Sequence, residues 1–276
     1  MNASPTISMS RRVAFSSGHR YWLNHLSEDE NLRRFGENAS RYSHGHNYVL
    51  EGKVSGKVDP VTGMIVNIKR IDDILQERIV NVYDKKSLND EVEAFSQVAP
   101  CIENILLDCH RRLRDLPSEV RLTELKLEEM PTLWGELLIE SNMITLTQTF
   151  EFAASHRLNV PSLSHDENIE LFGKCNNEAG HGHNYLLEVT VSGDPNPETG
   201  MIVDLGQLIE VVEERIVNRY DHKNLSEDIP EFSGKCATSE VVVQEIWNRL
   251  VGDVPGRLER VRLHETARNI FEASRS

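Results

Sequence analysis

Two sets of three histidines stand in this chain at one fixed offset. His19, His44 and His46 lie in the first half, and His156, His181 and His183 lie 137 residues further on. Each set is one isolated histidine plus a His-Gly-His pair. Imidazole is the commonest protein ligand for zinc. Side chains on a strand alternate between faces, so both histidines of a His-x-His pair point the same way. A third histidine on a neighbouring strand supplies a third corner of a tetrahedron. The fourth corner is left for water or substrate, the pattern of a catalytic rather than a structural zinc site.

Other reactive groups gather around the second set. Cys175 lies six residues before His181. Beside a divalent cation its thiol can ionise and act as a base. Asp221 adjoins His222, and a carboxylate beside an imidazole can orient and charge a proton relay. Glu265 falls at the end of an expected strand. A carboxylate there can accept two parallel hydrogen bonds from the amino and ring N–H groups of a pterin or guanine.

The elements that must position these groups come in two copies. Residues 15–96 align with 152–233 without a gap, and 37 of the 82 positions are identical. The period fits a domain-sized module rather than a solenoid repeat, so we expect two units, at 8–140 and 147–273. Residues 8–17 and 147–156 alternate apolar and polar and predict strands ending at the isolated histidine. Residues 20–43 and 157–180 are polar and poorly periodic. Tyr48 to Ser55 and Tyr185 to Ser192 read as strands. The turns Asp59 to Gly63 and Asn196 to Gly200 are expected to close a hairpin. Leu205 to Tyr220 has helical spacing, Ser239 to Leu250 predicts a second helix, with capping the simplest role for Thr238, and Leu258 to His264 returns to strand. The fold class is α+β, an antiparallel sheet with helices on one face, its open edges closed by association.

Composition narrows the function classes. The net charge is −14, with no basic tail or cluster, so nucleic acid is not an expected partner. No apolar run approaches membrane-span length, and no apolar leader-like segment opens the sequence. The cysteines at 101, 109, 175 and 236 lack metal-type spacing, which predicts a reduced, cytoplasmic setting. The first seven residues are expected to fray.

Five ordered motifs carry a family resemblance: Phe150 to Leu158, Cys175 to Tyr185, Gly200 to Asp204, Asp221 to Leu225, and Glu265-Thr266. They resemble 6-pyruvoyltetrahydropterin synthase and its relative 6-carboxytetrahydropterin synthase across roughly residues 147–273. The resemblance implies the tunnelling fold, here as tandem units of a four-stranded antiparallel sheet with two helices each, closing into a β-barrel as a homo-oligomer. It implies Zn²⁺ on His156, His181 and His183, Cys175 as general base assisted by Asp221 and His222, and Glu265 as the anchor of the pterin ring. The implied reaction is a lyase step converting 7,8-dihydroneopterin triphosphate to 6-pyruvoyl-tetrahydropterin with loss of triphosphate. Alternatives are the 6-carboxy-tetrahydropterin reaction of the queuosine pathway, on the same substrate, and a pterin- or zinc-binding protein without turnover. The five-residue gap between Cys175 and His181 looks like the pyruvoyl enzyme.

The first copy departs from this pattern. It keeps His19, His44, His46 and Asp84, but Asn38 stands where Cys175 does and Lys85 where His222 does. Neither can take up a carbon-bound proton near neutral pH. Glu129 is one residue out of register with Glu265. The first unit is therefore expected to bind zinc without catalysing.

Overall fold

A computed structural model describes residues 6–275. Of the residues expected to fray, Ile7 already begins a strand, and the first five lie outside the described residues. The chain divides into two compact units, Met1–Leu146 with Ser192–Val203, and Thr147–Val191 with Asp204–Ser276. The short segment Ser192–Val203 belongs to the second repeat in sequence and to the first unit in space.

In the first unit, β1 (Ile7–His19), β2 (His44–Gly56), β3 (Val120–Met130) and β4 (Leu133–Leu138) are neighbours in that order, each pair antiparallel. One face of β1 carries Val13, Phe15, Ser17 and His19, all buried, while the residues between them are more exposed. That alternation is the strand period of two. The Ile102–Arg112 helix packs on β3 and β4. Gly135 permits the approach: a Cβ there would lie 2.4 Å from Cγ2 of Ile102.

The second unit repeats the plan with β5 (Met143–His156), β6 (His181–Ser192), β8 (Arg257–His264) and β9 (Ile270–Ser274) in that order. The two-residue strand β7 (Lys223–Asn224) pairs with β5. The Ser239–Leu250 helix packs on β8 and β9. Its N-cap is Thr238, whose hydroxyl accepts from the Val241 N–H, so the capping role holds.

Three local readings need correction. The Asp59 to Gly63 turn does not join two strands; it hands β2 to the Ile68–Leu75 helix, which Asn67 caps. The long helix of the second repeat is α-helical over Leu205–Val212, then takes a π turn over Glu213–Val217. The first repeat takes the same π turn at Gln76–Val80, so the irregularity is encoded twice. The stretches read as polar and non-periodic contain helices, Glu28–Phe35 and His165–Phe172. Each is started by a capping box, Ser27 with Glu30 and Ser164 with Glu167. Each is anchored by a buried amide: Asn31 bonds both backbone groups of Leu23, and Asn168 those of Val160. Local hydrogen bonding, not an apolar stripe, makes these helices.

Candidate metal and ligand site

The strand register assembles the first triad. His19 lies directly opposite His44 across the β1–β2 ladder, and Ser17 opposite His46, so the three imidazoles share one face. Gly45 sits between the paired histidines where a Cβ would come within 3.1 Å of the Ser17 carbonyl. In the second unit His156, His181 and His183 are placed the same way at the ends of β5 and β6. Beneath each triad lies a stacked ring pair, Phe15 on Tyr48 at 5.1 Å and Phe152 on Tyr185 at 5.0 Å.

Ring nitrogens of each triad lie within 4.8 Å of one another. His156 Nδ1 bonds the Ala237 carbonyl at 2.8 Å, and His19 Nδ1 the Pro100 carbonyl at 2.9 Å. A carbonyl accepts only, so Nδ1 carries the proton and Nε2 presents its lone pair to the centre. Nε2 of His19, His46 and His183 are buried and make no hydrogen bond among the described residues. Burial keeps these imidazoles neutral: it lowers His156 and His183 below the usual histidine range and takes His19 to about 4. Converging imidazole nitrogens, with His156 Nε2 and His181 Nε2 only 3.3 Å apart, fit a divalent cation.

A carboxylate stands beside each triad. Glu265 Oε1 is 3.8 Å from His156 Nε2 and 3.9 Å from His183 Nε2. Burial disfavours its charge, but hydrogen bonds from Ser239 and Asn269 and the nearby imidazoles outweigh this and hold it below the usual carboxylate range. Glu129 stands 3.6 Å from His46 and 3.9 Å from His19. A register shift between Glu128 and Met130 absorbs the one-residue offset seen in sequence. Burial, with Glu103 adding repulsion, raises Glu129 to about 7. The two carboxylates thus occupy equivalent places in different electrostatic settings.

The remaining predicted residues are only partly gathered. Asp221 accepts from the Ala153 N–H at 2.7 Å and bonds His222 Nδ1 at 2.7 Å. His222 adopts a φ of 55° and lines an open cleft of about 480 Å³ with Ser155, Gly182, His183 and Asn184. Its side chain is 84% exposed, so the Asp-His pair turns outward from the unit. Cys175 sits half-buried on the Gly173–Asn176 turn and does not line that cleft. Asn176 ties this turn to the chain after His156 through the Leu158 carbonyl and Asn159. The first unit mirrors the arrangement, with Asp84 accepting from Ser16 N–H and Lys85 at a φ of 59°.

Sequence reasoning missed the Asn269 contact to Glu265 and the part played by Ser239, whose hydroxyl donates to Glu265 at 2.6 Å. The signal was available: Ser239 opens an expected helix, and its place directly after the capping Thr238 freed its hydroxyl for another partner.

A sequence model described as 6-pyruvoyl tetrahydropterin synthase matches the chain twice, at residues 8–139 and 145–276. The chain belongs to the 6-pyruvoyl tetrahydropterin synthase family. Both repeats are family units, each with its own histidine triad. Two relatives named 6-pyruvoyl tetrahydrobiopterin synthase are 46% identical to it. One, from Homo sapiens, matches over 126 residues, 45% of this chain and 87% of the relative. The other, from Drosophila melanogaster, matches over 128 residues, 46% of this chain and 76% of the relative. A Haemophilus influenzae protein named 6-carboxy-5,6,7,8-tetrahydropterin synthase is 27% identical over 150 residues, 47% of this chain and 98% of that one. Among the described residues no helix of this synthase-family chain is long and apolar enough to cross a membrane.

Proposed function

We propose that the second unit is a zinc-dependent lyase centre that converts 7,8-dihydroneopterin triphosphate to 6-pyruvoyl-tetrahydropterin and triphosphate. The observation that carries this reading is the placement of Glu265 beside the converging Nε2 atoms of His156, His181 and His183. Zn²⁺ on those nitrogens would supply Lewis acidity toward the substrate's side-chain hydroxyls, lowering their pKa and that of the adjacent C–H bonds. Glu265, held ionised by Ser239 and Asn269, accepts the paired N–H groups of the pterin ring and fixes the side chain over the triad. Cys175 takes the carbon-bound proton. That electron pair moves into the ring C=N bond, whose nitrogen is protonated; loss of a second proton, from the next side-chain carbon, forms a C=C bond as the C–O bond to triphosphate breaks, and the resulting enols become the two carbonyls of the pyruvoyl group, so no outside reductant is needed. Asp221 orients and charges His222 as the second proton carrier.

His222 points out of its own unit, and Cys175 lies off its cleft. We therefore place the completed relay at a contact between chains, consistent with closure of the sheets into a β-barrel in a homo-oligomer. The first unit, with Asn38 and Lys85 at the base and relay positions, holds its metal without turnover. The setting we assign is cytoplasmic, in keeping with four free cysteines.

The 6-carboxy product ranks second. Its support is the 27% identical relative, against 46% for the pyruvoyl-named ones. Incubating the zinc-loaded protein with dihydroneopterin triphosphate and weighing the product separates the two. A pyruvoyl side chain is expected; a carboxyl side chain favours the second reading, and unchanged substrate rejects both.

A further inference from the structure

The two triads differ in what holds the carboxylate beside them. Glu265 turns one oxygen, Oε1, toward both His156 and His183; that oxygen accepts from Ser239 at 2.6 Å, and Oε2 accepts from Asn269 at 3.0 Å. Glu129 instead straddles its triad, with Oε1 3.6 Å from His46 Nε2 and Oε2 3.9 Å from His19 Nε2. The repeat offset puts Ile102 where Ser239 stands, so the hydroxyl that pins Glu265 has no counterpart. Among the described residues one donor reaches Glu129, the Tyr48 hydroxyl, at the long distance of 3.5 Å. The side chain is 5% exposed, and among the described residues no lysine or arginine pairs with it.

A buried carboxylate without a cation is unfavourable. The Nε2 atoms of His19 and His46 beside it make no hydrogen bond. A divalent ion among these atoms satisfies both. Metal bonds of ~2.0–2.1 Å in a tetrahedron set ligand atoms about 3.3 Å apart, and Glu129 Oε1 already stands 3.6 Å from His46 Nε2. The small shift that remains breaks no strong hydrogen bond. The same shift by Glu265 would stretch its bonds to Ser239 and Asn269.

Side chains also take up space beside the first triad. Tyr21 meets His19 edge-on at 5.5 Å and stacks on Phe35 at 6.3 Å. Tyr21 and Met201 both pack on the cluster of Leu23, Phe35 and Ala99. The offset places Leu158 where Tyr21 stands, and His183 of the second triad lines the open cleft of about 480 Å³. The exposed His44 leaves a route by which an ion can enter.

We propose that Glu129 is the fourth ligand of the first triad, which makes the first unit's metal site closed and structural while the second triad keeps its fourth position open. Four protein ligands leave no place for water or substrate. The first unit thus lacks turnover for a reason beyond Asn38 and Lys85. This rests on the reading that the first triad holds a metal.

Cobalt(II) in place of zinc tests it in the full chain, because its visible spectrum reports coordination. His183→Ala confines the ion to the first triad, and His46→Ala confines it to the second. Azide is the probe for an open position. It is expected to leave the spectrum of the His183→Ala chain unchanged and to shift that of the His46→Ala chain. Adding Glu129→Gln to His183→Ala should weaken cobalt binding by about tenfold or more, at least the loss that follows removal of an outer partner, and should make the spectrum respond to azide. Adding Glu265→Gln to His46→Ala should leave cobalt affinity unchanged. Glutamine keeps the shape of the side chain, so the metal-free Glu129→Gln variant should melt with its metal-free parent, and zinc should raise the melting temperature of the parent more than that of the variant. An azide shift in the His183→Ala chain overturns the proposal, and that result needs no variant at Glu129. Undiminished cobalt affinity in Glu129→Gln overturns it as well. A His183→Ala chain that binds no cobalt rejects the underlying reading and the proposal with it, so the two failures are told apart.

Discussion

Ser239 donates its hydroxyl to Glu265 at 2.6 Å, and this bond joins the first turn of a helix to the end of a strand. The carboxylate is thereby fixed beside His156 and His183 rather than left to rotate at a strand terminus. A charged hydrogen bond of this kind contributes about 1.5–3 kcal/mol. If Glu265 reads the pterin ring, its orientation sets ground-state and transition-state binding alike.

Removing that donor should therefore act on binding. Ser239→Ala is expected to raise the KM for the pterin triphosphate by about tenfold or more with kcat little changed. Ser239→Thr, which keeps the hydroxyl, should restore most of it. Steady-state kinetics on the three proteins decide; a fall in kcat alone would show that Ser239 serves something other than substrate placement.

Two equivalent triads predict two independent ions per chain. Elemental analysis of the wild type should find about two zinc ions per chain. His183→Ala and His46→Ala should each lose one, and the double variant both. Activity should vanish with His183→Ala and persist with His46→Ala. Chelation followed by zinc return should restore the His46→Ala enzyme. Retention of both ions in either single variant would remove that triad as a site.

The thiol is expected to move a proton and not to hold metal. Cys175→Ala should lower kcat by about 10²–10⁴-fold, the usual range for a lost general base, while zinc content stays at the wild-type value. A loss of zinc in this variant would instead make the sulfur a ligand.

Away from the site, Glu231 joins Arg219 through two bonds at 2.6 Å and Arg249 through one at 3.1 Å. The Arg219 bond leads the effects that, against partial burial, hold Glu231 below the usual carboxylate range. A group with a depressed folded pKa stabilises fully above its unfolded value, and the contribution is lost as pH falls through the folded value. Glu231→Gln should thus cost about 1–2 kcal/mol near neutral pH, a modest figure because Arg219 is partly exposed. The difference in melting temperature between wild type and variant should shrink through the acid range below the ordinary carboxylate pKa. A difference that is constant with pH would mean that the loss is one of packing.

How much of this was legible beforehand depends on the distance over which the physics acts. The His-Gly-His pairs, the strand period and the repeat offset fixed the triads, because alternation along a strand is local and the duplication states the same answer twice. The capping boxes at Ser27 and Ser164 were equally local and could have been read from the Ser-x-x-Glu spacing. The turn after β2 was misread because a tight turn looks the same whether a strand or a helix follows it.

The amino-acid sequence alone determined the two histidine triads, the departures at Asn38 and Lys85, and the family. Those depend on residue identity and short-range geometry. Only the tertiary structure decided that Ser239 and Asn269 hold Glu265, that the Asp221–His222 pair faces outward, and that residues 192–203 pack with the first unit. Each joins side chains or segments through packing, and one-dimensional spacing carries no record of which of many polar neighbours a folded chain will bring within 3 Å.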